Sequence, residues 1–198
     1  AFMFFLSLGL GGLFLVLVFL FGEFGRLLAA PWYAGVIAAL VCAGAFGIAT
    51  RSLGQPMFLF LLVLMIPLAT TELGTDSWIT SLMEIPMKAM SLNAGWVLIY
   101  TSLIMMILRF CAAPVVKALT PLGVLIASCV LATAGLVALS RASGLTILAA
   151  ATLYGIGKTY LWPTMLGVVA ERFPKGGALS LNATSGVGMM SVGVMGTV

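Results

Sequence analysis

Residues 57–83 read MFLFLLVLMIPLATTELGTDSWITSLM. The first part, Met57–Ala69, contains no polar side chain, and the second gathers Thr70, Thr71, Glu72, Thr75, Asp76 and Ser77 before the run turns apolar again. At about 1.5 Å per residue the stretch is long enough to cross the ~30 Å hydrocarbon core of a bilayer. Backbone N–H and C=O groups in lipid must find their partners within the segment, so the run is expected to be a helix. Glu72, Asp76 and Ile79 then fall at i, i+4 and i+7, which places both carboxylates on one helix face.

The rest of the chain repeats the pattern. Six further apolar segments cover about 1–22, 31–50, 94–111, 122–139, 145–170 and 178 to the end. Short connections carry turn residues, among them Gly54-Gln55-Pro56, Thr120-Pro121, Ser143-Gly144 and Pro174-Lys175-Gly176-Gly177. Of 198 residues, 63% are hydrophobic and 7% charged, where a soluble domain carries about a quarter charged. The expected fold is therefore all-α: a polytopic transmembrane bundle of about seven spanning helices, held together by close helix packing. Pro31-Trp32-Tyr33 reads as an interfacial anchor. Gly35, Ala39, Ala43 and Gly47 form a stripe of small residues at four-residue spacing, suited to close contact with another helix. Asn182 and Ser185 are read as interhelical hydrogen bonders, and Glu84 with Lys88 as a surface ion pair of little energetic weight.

A formal charge of +4 would suggest nucleic acid in a soluble protein, but the basic residues are too scattered to track phosphates. They serve better as orientation signals. Arg51, Arg109, Lys117, Arg172 and Lys175 fall in one set of alternate loops, and Arg26, Lys88 and Arg141 in the other. The richer set is assigned to the cytoplasm, which starts the first segment inside. Cys42, Cys111 and Cys129 lie apart within apolar runs and are read as packing residues. With no histidine and no CxxC pair, neither a metal site nor a cofactor is expected. The opening residues lack the basic start of a signal peptide, and both ends of the sequence read as interior to a longer chain.

Polar residues at membrane depth are costly, about 2.5–3.5 kcal/mol per charge on the insertion scale, and mark function or internal pairing. Besides Glu72 and Asp76, the sixth segment holds Tyr154-Gly155-Ile156-Gly157-Lys158-Thr159-Tyr160-Leu161-Trp162-Pro163. Tyr154, Lys158 and Trp162 are spaced by four and share a face. Aromatic rings around one ammonium, with two carboxylates nearby, suit a polyhydroxylated solute. Glu72, Asp76, Tyr154, Lys158 and Trp162 are accordingly the candidate substrate-binding residues, and Glu72 the candidate proton-coupling group. The competing reading of Lys158 is an internal ion pair with Glu72 or Asp76, and of Asp76 and Trp78 a position near the membrane surface. Pro163 removes a backbone donor and, with Gly155 and Gly157, marks a candidate helix bend.

Several of these runs resemble the major facilitator superfamily, in particular bacterial sugar permeases related to fucose permeases. They are Thr71–Ile79, Arg109–Pro114, Leu153–Lys158 with Trp162–Gly167, and Glu171–Ala178. The resemblance implies that residues 57–198 are an incomplete C-terminal transporter half, the family's seventh to eleventh helices. It implies that residues 1–56 are either an inserted helix pair or the fifth and sixth helices. The region 113–117 is similar to a worn gating motif, with Ala113 where Gly is usual and the acidic residue missing. The resemblance further implies a multi-pass protein of the bacterial inner membrane, whose partners are the bilayer, a small solute and the missing N-terminal half. Its activity would be proton-coupled transport by alternating access. The competing functions are a channel, which would call for a ring of like residues or a re-entrant filter, and a membrane enzyme. No catalytic residues are assigned, because no base stands ready for a nucleophile.

Overall fold

The computed structural model is almost entirely helical, so backbone N–H and C=O groups find their partners locally. It describes residues 2–27, 29, 31–89, 91–144 and 146–196, and among these there is no strand. The order is α1 (Phe2–Leu27), α2 (Trp32–Thr50), α3 (Pro56–Ala69), a π-helical turn (Thr70–Gly74), α4 (Thr75–Leu82) and α5 (Glu84–Ala89). There follow α6 (Gly95–Phe110), α7 (Ala112–Ala118), α8 (Pro121–Arg141), α9 (Thr146–Lys158), α10 (Leu161–Arg172), a 3₁₀ turn (Pro174–Gly176) and α11 (Gly177–Gly196). Among the described residues, three helices are long and apolar enough to cross a membrane: Tyr33–Thr50, Pro56–Ser81 and Pro121–Arg141. A fourth is added if α6 and α7, bent by 65° at Cys111, are one span. The described helices form two compact units, one of residues up to Thr70 and from Leu166 onward, the other Thr71–Met165.

In the first unit α2 lies along α1 through its small-residue stripe. Ala39 and Ala43 are buried, and a Cβ on Gly35 would come within 2.8 Å of the Phe21 carbonyl. The outer face of α2, with Ile37, Val41 and Ile48, is exposed and apolar. Helix α1 is interrupted at Gly9, whose φ of 51° and ψ of −164° leave the helical region. The α2–α3 loop occupies the gap. Leu10 N–H donates to Ser52 C=O (3.0 Å), Gly11 N–H to Leu53 C=O (3.1 Å) and Gln55 N–H to Ser7 C=O (2.9 Å). Gly54 sits here at φ 102°, with its amide nitrogen 2.0 Å from where a Gly9 Cβ would stand. Phe58 joins this end to the end of α10, its ring 6.4 Å from Phe4 and 5.0 Å from Phe173. The start of α1, the start of α3 and the end of α10 thus share one end of the unit.

Two details of this unit depart from the sequence reading. Asn182 is exposed, and the hydroxyl of α11 that reaches another helix is Ser191, which donates to Ile66 C=O on α3 (3.4 Å). Cys42 is exposed rather than packed, because it lies on the flank of α2, to one side of the small-residue stripe that meets α1. Of the anchor Pro31-Trp32-Tyr33, Pro31 precedes α2 in extended conformation and Tyr33 is exposed; the Trp32 side chain lies outside the described residues.

In the second unit α8 and α9 form a tight antiparallel pair. A Cβ on Gly157 would lie 2.2 Å from the Ala132 nitrogen, and one on Gly135 2.5 Å from the Tyr154 nitrogen. Thr120 caps α8, its hydroxyl accepting from Gly123 N–H (3.2 Å), with Pro121 in the first turn where no donor is needed. Ile79, Met83, Met87, Val97, Leu139, Ile147 and Ala150 make the apolar core at one end. Glu84 and Lys88 pair at 2.7 Å on the surface. Cys111 is exposed and Cys129 half-buried.

Candidate functional site

The polar stretch Thr70–Ser77 is where the helix departs from α geometry. Its turn Thr70–Gly74 is π-helical, a wider winding that inserts a residue and loosens the carbonyl ladder. Side chains use the loosened carbonyls. Thr71 C=O accepts from Thr75 Oγ1 (2.9 Å) and from the Tyr154 hydroxyl, which also bonds Thr75 Oγ1. Glu72 C=O accepts from Lys158 Nζ at 3.4 Å.

The opposite wall is a second break. The sequence reading places a bend at Gly155, Gly157 and Pro163. The structure instead breaks the segment at Thr159–Tyr160, between α9 and α10. Gly155 and Gly157 are regular helix: the first meets Ile104 and Thr101 at ordinary contact distance, the second makes the close approach to α8. Pro163 is the third residue of α10, where a missing donor costs nothing. A continuous helix would bond Trp162 N–H to Lys158 C=O and leave Thr159 C=O without the donor that Pro163 lacks. Both loose ends are taken up by side chains. Trp162 N–H donates to Glu72 Oε2 (2.5 Å), and Thr159 C=O accepts from Arg109 Nε (3.4 Å).

Four charged residues meet between these two breaks. Glu72 is 1% exposed, and its other oxygen, Oε1, accepts from Arg109 Nη2 at 2.5 Å. Lys158 is fully buried, donates to Asp76 Oδ1, and lies 5.2 Å from the centroid of the Tyr154 ring. Two acids and two bases leave the cluster formally neutral, and each charge has a hydrogen-bonded partner of opposite sign, the arrangement that interior charges require. Among the described residues no buried side-chain nitrogen or oxygen is left without a partner.

Of the five residues expected to bind substrate, the structure brings Glu72, Asp76, Tyr154 and Lys158 together through side chains. Trp162 joins through its backbone amide, its indole being half-buried. Asp76 is not at the surface alone; a quarter of its side chain is exposed and the rest faces Lys158. Arg109 is a correction. Assigned to a cytoplasmic loop with Lys117, Arg172 and Lys175, it stands in the last turn of α6, about half exposed, with its guanidinium on Glu72; the other three are exposed near helix ends without such a pairing to the cluster. A signal for this existed in the sequence, since two carboxylates and one lysine within apolar segments leave a charge unbalanced, and Arg109 directly follows an apolar run.

Two cavities flank α4. One of about 510 Å³ is lined by Leu73, Asp76, Ser102, Met105, Arg109 and Phe110, so it touches one member of each ion pair. The other, about 440 Å³, is walled by Trp78, Met83, Pro86, Leu136 and Leu139 and reaches Thr75 and Tyr154. Among the described residues no three His, Cys, Asp or Glu side chains come together as a metal site. Compared with protein-family models, with curated proteins and with solved structures, the chain has no match in any of the three.

Proposed function

We propose that the chain is part of a secondary transporter that moves a small polar solute by alternating access with proton coupling, a sugar being the class its polar, aromatic site suits best. The observation that carries this reading is the cluster of Glu72, Arg109, Lys158 and Asp76, held between two helix breaks beside a 510 Å³ cavity. Broken helices with charged side chains at the break are a recurring way to build a solute site inside a membrane bundle. Charges in that setting are costly unless they face a cavity or one another. Here all four face one another, Asp76 and Arg109 also line the cavity, and Glu72 is bonded to groups from α6 and α10 that a change in its protonation would release.

The resemblance to sugar permeases of the major facilitator superfamily gives this reading its architecture. In it, residues 57–198 are an incomplete C-terminal half, about seven segments span the bacterial inner membrane, and the loops bearing Arg51, Lys117, Arg172 and Lys175 face the cytoplasm. A missing N-terminal half completes the solute path. A carrier is separated from a channel by counterflow, because only a carrier exchanges labelled for unlabelled solute with no net gradient. The deciding experiment is Glu72→Gln in the full-length protein. Expected is loss of pH-driven accumulation, at least tenfold, with counterflow retained; unchanged accumulation and pH dependence would refute the coupling role.

A further inference from the structure

Lys158 is the one charged residue among those described that has no exposed surface, and what surrounds its ammonium is oxygen and π-electron density. It donates to the Asp76 carboxylate and, at 3.4 Å, to the Glu72 carbonyl, and it lies over the Tyr154 ring at 5.2 Å. The neighbouring Thr71 carbonyl, Thr75 hydroxyl and Tyr154 hydroxyl are bonded to one another. A carboxylate, carbonyls freed by a π turn and an aromatic face are together the ligand set of a small monovalent cation. Arg109, the other cation of the cluster and about half exposed, is engaged on Glu72. Removal of Lys158 therefore leaves Asp76 as the unbalanced charge.

We infer that the pocket around Lys158 Nζ is a monovalent-cation site, of the ammonium and alkali-ion class, which this chain fills with its own tethered ammonium. A side chain of Lys length seats the charge permanently, so no dissolved ion competes for the oxygens. If the carrier reading holds, its corollary is that the cycle runs without a sodium co-ion. The site itself does not depend on that reading, because its test measures ion binding and not transport.

The test uses Lys158→Met in lipid nanodiscs. The chain is titrated with sodium or methylammonium chloride against choline chloride at constant ionic strength, and thermal unfolding is followed. A ligand bound only by the folded form raises the melting temperature saturably. Expected is such a rise for Lys158→Met with sodium or methylammonium and none with the bulky choline. Wild type and the double variant Lys158→Met/Asp76→Asn should show no ion-specific shift. An equal response to choline would overturn the proposal. So would stability regained only by acidification, since a proton on Asp76 or Glu72 would then be replacing the ammonium. Should Lys158→Met not be recoverable folded in choline buffer, its recovery in sodium or methylammonium supports the site, and failure in every salt overturns it. Transport by the full-length protein, tested separately, leaves the two claims independent.

Discussion

At the scale of single residues, glycines that look alike in the sequence do different work. A methyl group at Gly157 would meet backbone atoms of α8 at 2.2–2.7 Å, which no side-chain rotation can relieve, whereas nothing lies within 4 Å of the position at Gly186. Gly157→Ala is therefore expected to destabilise the chain by about 1–3 kcal/mol through overpacking. Gly186→Ala should be neutral or slightly stabilising, as expected for Gly→Ala within a helix. Thermal unfolding of both variants in the same lipid checks the contrast, and equal effects would contradict the close α8–α9 contact. The charged residues divide in the same way. Glu84 and Lys88 are both more than half exposed, and the hydrogen bond and charge of Lys88 hold the Glu84 carboxyl below its usual range. A depressed carboxylate stabilises above its unfolded pKa and loses that contribution as pH falls through the folded value. Solvent screening keeps the effect small. Which residues would be polar and deep was legible in the sequence: Glu72, Asp76, Tyr154 and Lys158 stand out of apolar runs. Who pairs with whom was not, because pairing depends on helix rotation, and a loop assignment based on charge counts removed Arg109 from consideration.

At the scale of elements, the two irregular turns fix the chemistry. Each residue of an α-helix advances the face by about 100°, so the extra residue in the turn Thr70–Gly74 decides which way Asp76 points. Deleting Gly74 should let the helix close as regular α and rotate α4 by about that angle, carrying Asp76 away from Lys158. The expected outcome is near-unchanged helix content by circular dichroism, with the Lys158–Asp76 coupling lost. A double-mutant cycle on Lys158→Met and Asp76→Asn reads that coupling in the wild-type and deleted backgrounds; an undiminished coupling energy would show that the turn does not set the register. Neither break could be placed from periodicity. A π turn leaves no composition signal, and Pro163, which with Gly155 and Gly157 marks a candidate bend in the sequence, stands just inside the start of a new helix. The sequence cue is the proline, and the physical event is the satisfaction of the groups three to four residues before it.

For the whole molecule, hydropathy and charge together carried the all-helical fold, while the precise set of spanning helices depends on breaks that composition hides. Among the described residues, up to four helices are long and apolar enough once α6–α7 counts as one; α9 and α10 are 13 and 12 residues long, each short of a ~20-residue crossing. The orientation reading can be tested directly. Ser52→Cys and Lys175→Cys, in a chain whose Cys42, Cys111 and Cys129 are replaced by Ser, should react with a membrane-impermeant thiol reagent from the cytoplasmic side. Ser91→Cys and Ser143→Cys should react from the opposite side. Labelling of Ser52→Cys and Lys175→Cys from different sides would refute both the charge assignment and the shared end of the first unit.

The interruption of α1 at Gly9 has a mechanical consequence. Its liberated amides are held by the backbone of residues 52–53, and the return bond runs from Gln55 to Ser7. Backbone is thus stitched to backbone at a place where two glycines leave no room for a side chain on either. The opening turns of α1 and the entry to α3 are therefore a single joint, and any tilt of one must drag the other along.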